Sequence, residues 1–490
     1  MPDNTLHAAL LTHQPGPAPF LETPQGEQWT YADLRGRVAV ATGHLQSAGV
    51  APGDRVLCQI DKSPAGLILY LATVAAGGVF VPLNTAYTGA EIDYFLEDAD
   101  PALLILERGA TAAGAVADAR GIAVAFPDAL TAPGPEAAPV PRAPDDLAAI
   151  LYTSGTTGRS KGAMLTHANL VSNARALAGC WHYTAQDRLL HALPVFHTHG
   201  LFVATNVTLM AGASMIFLPA FSLEAVAEHL PRCTTMMGVP TFYTRMLSDD
   251  RFTRQALAHM RLIISGSAPL LPESHRAFEE RTGHAILERY GMTETNMISS
   301  NPYEGDRRAG TVGHPLPGTS VRIADPDAKG IGGIEVKGPN VTPGYWRNTD
   351  KTDESFTGDG WFITGDLGQI DGDGYLSIVG RQKDLVISGG FNIYPKEVEV
   401  QIDALPGVSE SAVFGVPHPD LGEAVAAAVV PERPGSCDEA AIVAALSDRL
   451  ARFKIPRRIL ILPELPRNAM GKVQKTQLRA AAAAAEQQTN

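Results

Sequence analysis

Tyr152-Thr153-Ser154-Gly155-Thr156-Thr157-Gly158-Arg159-Ser160-Lys161-Gly162 follows an apolar run, Leu147 to Tyr152, and precedes a helix-like stretch from Met164 to Leu177. A strand, a hydroxyl-rich glycine loop and a helix together suit a phosphate. The glycines let backbone N–H groups approach an anion, Thr153, Ser154, Thr156 and Thr157 add hydroxyl donors, and Lys161 adds charge. The spacing is not G-x-x-x-x-G-K-[ST], so an ordinary P-loop is excluded.

Outward from this loop, short apolar runs at Arg55–Ile60, Ala102–Leu106 and Leu262–Ile264 each lie near a helical pattern, which predicts an α/β fold of layered sheets and helices. The uncharged segment Pro64–Leu83 is about as long as a membrane span. Glycines at 66, 77 and 78 and a closing Val-Phe-Val instead predict a buried helix followed by a buried strand. From Asp371 the style changes to a polar Asp-Gly-Asp-Gly turn and short elements, as in a small α+β unit. The expected organisation is a large N-terminal domain over 1–380, a hinge at 381–384 and a small mobile domain over 385–490.

The chain has 490 residues, 39 Lys plus Arg against 52 Asp plus Glu, and a net charge of −13, a field that opposes nucleic acid and anionic lipid. Cys58, Cys180, Cys233 and Cys437 are widely spaced and form no disulfide or zinc pattern. With no secretory signal at Met1, the expected location is cytoplasmic.

Five further stretches stand in order: Ala192-Leu193-Pro194-Val195-Phe196-His197-Thr198-His199-Gly200-Leu201, Glu288-Arg289-Tyr290-Gly291-Met292-Thr293-Glu294-Thr295, Thr364-Gly365-Asp366, Gly380-Arg381-Gln382-Lys383-Asp384 and Pro466-Arg467-Asn468-Ala469-Met470-Gly471-Lys472. With the glycine loop they closely resemble the signatures of the acyl-adenylate-forming superfamily, over nearly the whole chain. That resemblance implies a two-step reaction, in which a carboxylate attacks the α-phosphate of ATP and a thiol, coenzyme A, then displaces AMP. It implies nucleotide contacts from Thr153, Ser154, Gly155, Thr156, Thr157, Gly158, Lys161, Ser267, Tyr290, Gly291, Asp366 and Arg381. Tyr290 would face adenine, and Asp366 would accept ribose hydroxyls beside Arg381. Thr293 would bond the α-phosphate and Glu294 would hold Mg2+. Lys472 would serve adenylation, Lys383 would be the hinge, and Ser388, Gly389 and Gly390 would line the coenzyme A path. On composition alone, Lys472, Glu294 and Asp366 would be solvated turn residues; their motifs carry the inference.

His191, His197 and His199 invite a metal reading, but no spaced carboxylate or cysteine completes a zinc set. His197 is expected at the acyl pocket instead. After Gly238-Val239-Pro240, Arg245 lies four residues beyond Thr241, and a guanidinium in the pocket wall would suit a second carboxylate. The surrounding text, including Ser265-Gly266-Ser267-Ala268, closely resembles malonyl-CoA synthetases. This implies malonate held at its distal carboxylate by Arg245, with Ser267 and His197 assisting, Arg289 as a second cation, and Thr198 and Met297 bounding the α-carbon. Where relatives carry Gly-Glu-Ile, this chain has Gly332-Gly333-Ile334. The alternatives are a short- or medium-chain monocarboxylate:CoA ligase, in which Arg245 is a surface residue, and an adenylation enzyme that loads a carrier protein. The partners expected are the small molecules malonate, ATP and coenzyme A, with a lysine acetyltransferase as a regulator of Lys472, and neither nucleic acid nor membrane.

Overall fold

Leu147–Thr153 and Lys161–Thr166 pair antiparallel, with Thr153 opposite Lys161, so the glycine loop closes a hairpin and does not lead directly into a helix. The helix begins later, at His167–Cys180, where Thr166 and Asn169 form a reciprocal capping box. The helix-like pattern from Met164 therefore begins in a strand, whose residues 162–166 pack against the sheet. The computed structural model describes residues 4–153, 160–388, 391–418, 421–447, 449–468 and 471–489.

The hairpin sits at one edge of a six-stranded sheet in the order Val124–Ala125, Leu103–Leu106, Arg55–Gln59, Val79–Pro82, Leu147–Thr153, Lys161–Thr166. Segment 64–83 is the helix Pro64–Ala75 and the strand Val79–Pro82, turned by Gly77 at φ +80°. Its charge-free stretch is protein core: among the described residues no helix is long and apolar enough to cross a membrane.

A nine-stranded sheet carries the parallel strands Arg188–His191, Thr235–Gly238, Leu262–Ser265 and Leu287–Met292. Leu262, Ile263 and Ile264 are wholly buried, each contributing about 1.5–3 kcal/mol of apolar burial. The architecture is the expected mixed α/β one.

The chain divides into two compact units, Met1–Val321 with Val336–Phe362, and Arg322–Glu335 with Ile363–Asn490. The second unit begins before the polar turn at Asp371, because Phe362–Ile370 and Leu376–Arg381 are one antiparallel pair with Asp366 opposite Arg381. A separate sheet joins Phe391–Ile393, Val386–Ser388, Gly422–Pro431, Val408–His418 and Arg458–Ile461. At Gly333 an added Cβ would meet only Ala324 Cβ, at 4.0 Å, so crowding does not impose glycine there.

Candidate active site

In the nine-stranded sheet, Met237 lies opposite His191, Gly238 opposite Ser265, and Ser265 opposite Glu288. The carboxyl ends of these strands therefore come level, the usual place for a ligand in a parallel sheet. Side chains alternate along Leu287–Met292, which sends Glu288 and Arg289 to opposite faces. Glu288 is held by His275 Nδ1 at 3.0 Å and by the Gly310 N–H at 3.3 Å. Its carboxylate is committed elsewhere.

Arg289 is 3% exposed, and among the described residues its Nε and Nη2 have no hydrogen-bond partner. The guanidinium lies flat against Gly266, where an added Cβ would come within 2.3 Å of Cζ. Only glycine leaves that space. Burial pulls the Arg289 pKa down to about 9, so it remains cationic at neutral pH. A desolvated cation with two idle N–H donors is costly on its own and stabilised by a bound anion.

Its neighbourhood is polar and neutral. Ser267 adopts φ +72°, a left-handed conformation costing about 1–3 kcal/mol in a non-glycine residue. Its Oγ is 3.1 Å from His199 Nδ1, and His199 Nε2 is buried without a partner among the described residues. Burial, then the charge of Arg289, holds the His199 pKa well below the ordinary histidine value. Thr198 Oγ1 is also buried and unpartnered, and Met297 is buried. His197 is half-buried, its Nδ1 3.5 Å from the His199 N–H.

Arg245 occupies a different environment. The helix Pro240–Leu247 forms as expected, but Arg245 is exposed while Tyr243 and Met246 of the same helix are buried. A side chain two residues from the buried Tyr243 lies about 200° around the helix from it. The structure thus reverses the expected order of the two arginines: the desolvated cation is Arg289.

For the metal, Glu294 is buried and its Oε1 accepts from Tyr345 Oη at 3.0 Å and Thr153 Oγ1 at 3.4 Å. Both bonds fall on one oxygen. Oε2, with the neighbouring hydroxyls, fits the hard oxygen donors that Mg2+ takes. Burial and the Glu294 charge push the Tyr345 phenol pKa up, which keeps it a proton donor. Tyr345 was not legible in the sequence. It reaches Glu294 because Thr342 Oγ1 donates to Met164 O and Gly344 O, and Trp346 N donates to Gly162 O, tying segment 342–346 to the hairpin. Lys161 Nζ lies 5.7 Å from the Tyr345 ring centroid. Tyr290 and Thr293 are buried; Gly291 is cramped, an added Cβ meeting Asn296 O at 2.0 Å and Met297 Cε at 2.6 Å. Ser154, Gly155, Thr156, Thr157 and Gly158 lie outside the described residues.

In the second unit, Asp366 is buried and bonds Arg381 Nε at 2.8 Å through Oδ1. Thr364 accepts the Asp366 N–H at 3.1 Å and fixes that turn. Lys383 is exposed in the short helical turn Gln382–Asp384, and Ser388 is buried; Gly389 and Gly390 lie outside the described residues. Lys472 is exposed on a turn closed by Asn468, whose Oδ1 accepts the Lys472 N–H at 3.0 Å. Arg467 donates to Gly471 O at 2.7 Å and pairs with Glu410, a buttress for that turn which the motif did not reveal. Among the described residues no group of three His, Cys, Asp or Glu could hold a metal.

The AMP-binding enzyme family matches residues 10–346, and the AMP-binding enzyme C-terminal domain matches residues 397–472. A feruloyl-CoA synthase of Amycolatopsis sp is 38% identical over 464 residues, 93% of this chain and 94% of its own. A malonate–CoA ligase of Arabidopsis thaliana is 39% identical over 490 residues, 89% of this chain and 79% of its own. The crystal structure of ATP-bound MatB from Rhodopseudomonas palustris is 52% identical, with a TM-score of 0.95 over 98% of this chain and 99% of that one.

Proposed function

The chain belongs to the AMP-binding enzyme family and is an ATP-dependent acid–CoA ligase; from that premise we propose that the acid it activates is malonate. One observation carries the reading: the buried Arg289 guanidinium with Nε and Nη2 unpartnered. A monocarboxylate would leave that cation unanswered in a buried surrounding that holds no counter-charge among the described residues, whereas the second carboxylate of a dicarboxylic acid would take both donors side by side. Ser267 and His199 would flank the same carboxylate, with His197 at the pocket. Thr198 and Met297 would bound the α-carbon and set whether methylmalonate fits. Arg245 would be a solvated second cation.

In the adenylation half the reacting groups are both anions, so charge neutralisation dominates. Thr293 would donate to the α-phosphate and Lys472 would supply a positive charge. Mg2+, held through Glu294, would neutralise phosphate oxygens, with Tyr345 and Thr153 fixing the carboxylate's orientation. The phosphate loop, Thr153 to Lys161, would take the remaining phosphates by backbone N–H groups, hydroxyls and the lysine ammonium. Tyr290 and Gly291 would bound the adenine, and Asp366 beside Arg381 would bind the ribose. In the thiol half Ser388, Gly389 and Gly390 would lie along the coenzyme A path, with Lys383 as the hinge.

The exposure of Arg245 favours one second reading, a monocarboxylate:CoA ligase. AMP release over a panel of acids separates the two: malonate should exceed acetate and octanoate in kcat/KM by about 10²-fold or more, the ratio set by one desolvated charge pair. Octanoate in first place would end the malonate reading and leave the ligase chemistry intact.

A pH dependence follows from Arg289. Both malonate carboxyls are ionised at neutral pH, and the free protein's Arg289 loses its proton near pH 9. Malonate affinity should then fall about tenfold per pH unit above that point. The folded-state pKa lies below the ordinary arginine value, so in the window from about 9 up to that ordinary value the folded chain binds fewer protons than the unfolded. That group alone makes the ligand-free protein more stable as pH rises through the window. Calorimetric titration of malonate between pH 8 and about 10 checks the affinity; a flat profile contradicts the assignment.

A further inference from the structure

Lys62 follows the strand Arg55–Gln59 of the six-stranded sheet, just before Ser63 caps the helix Pro64–Ala75. It reaches into the nine-stranded sheet. Its Nζ donates to His191 O at 2.8 Å, stands 3.1 Å from His191 Nδ1, and lies 4.3 Å from the centroid of the Phe217 ring. His191 is the last residue of its strand and is 1% exposed.

The ammonium has donors and no acceptor, so the contact with Nδ1 requires that nitrogen to be bare. The ring proton then sits on Nε2, 3.0 Å from Gly200 O, to which it donates. Thr205 Oγ1 donates to the same carbonyl at 3.0 Å. Gly200 is where the chain crosses itself: an added Cβ would stand 1.9 Å from Pro194 O. The wide helical turn His199–Thr205 starts there, an arrangement often found at functional sites. That turn sets the positions of Thr198 and His199, and through His199 the bond to Ser267.

We propose that Lys62 is a positioning residue for the acid pocket, acting through His191: by fixing the imidazole tautomer it holds the Pro194–Gly200 crossing in the register that presents Thr198, His199 and Ser267 to the acid. The inference rests on the reading of those three residues as the acid pocket. The contacts of Lys62 described above are with His191 and Phe217, and not with Thr198, His199 or Ser267. Burial lowers its pKa well below the ordinary lysine value, and Phe217 supplies a ring face to what charge remains. Burial, then the Lys62 charge, holds the His191 pKa well below the ordinary histidine value, consistent with an acceptor at Nδ1.

A double-mutant cycle on the full chain tests this, using whichever acid the wild type turns over best. Lys62→Met should raise the KM for the acid by about tenfold or more, with the KM for ATP within about twofold, since a lost buried hydrogen bond is typically worth a factor of that size. His191→Gln keeps a donor toward Gly200 without needing a fixed tautomer, so its acid KM should change by about threefold at most. In that background Lys62→Met should add nothing further. Melting curves of all three variants establish that they fold. Equal rises in the KM for acid and ATP, or an undiminished Lys62→Met effect in the His191→Gln background, would overturn the proposal. A preferred acid other than malonate would sink the substrate reading and leave this cycle interpretable.

Discussion

Arg289→Met should cost malonate activation about 10²–10³-fold in kcat/KM while leaving the ligand-free protein as stable as before or more so. Both effects have the same source. In the free protein Nε and Nη2 are buried without partners, so replacing the cation with an apolar chain of similar reach removes a desolvated charge and is neutral or favourable. In the complex the same change leaves the distal carboxylate buried against methionine, a loss of about 2–5 kcal/mol. A merely structural arginine would show the reverse, with activity following a fallen melting temperature. Arg245→Ala should cost about tenfold or less, because an exposed ion pair is screened and worth about 1 kcal/mol. Steady-state kinetics and thermal denaturation of the two variants decide between them.

Lys472→Ala should nearly abolish adenylate formation, by about 10²–10³-fold in pyrophosphate exchange, the size lost when one preorganised charge is removed from developing negative charge. Thiolysis of acyl-adenylate supplied from outside should survive, since coenzyme A brings its own nucleophile. Glu410→Gln should fall between wild type and Lys472→Ala in the same assay, because Arg467 would keep Gly471 O but lose its charged anchor. Retained exchange in Lys472→Ala would contradict its assigned role.

Much of this site was legible because its motifs combine a residue type with a backbone requirement. The strand that enters the glycine loop, Glu294 after Tyr290-Gly291, and Asp366 beside Arg381 are local in the chain or joined by one hairpin. Burial was not legible in the same way. Arg245 and Arg289 both stand beside motif residues, and nothing in their immediate sequence says which one is desolvated. That depends on Gly266, just past the end of the neighbouring strand Leu262–Ser265, leaving space for the Arg289 guanidinium, and on the helix Pro240–Leu247 turning Tyr243 inward instead of Arg245. Tyr345 and Lys62 were missed for the same reason: each acts on a residue more than 50 positions away, Glu294 at a separation of 51 and His191 at 129. The stretch after Lys161 was misjudged because its helical apolar pattern runs across a strand end and a helix start, and strand pairing decides the first part. The domain break was read at the motif Arg381–Asp384, whereas the hydrogen bonds of the hairpin Phe362–Ile370 with Leu376–Arg381 carry the second compact unit back to Ile363.

The account depends on where the far end of the acid lies. A crystal structure of the protein with malonate and a non-hydrolysable ATP analogue tests that directly. It should show the carboxylate not engaged with phosphate within about 3 Å of Arg289 Nε and Nη2. An acid whose far end lies against apolar side chains, with those two nitrogens still unpartnered, would contradict it.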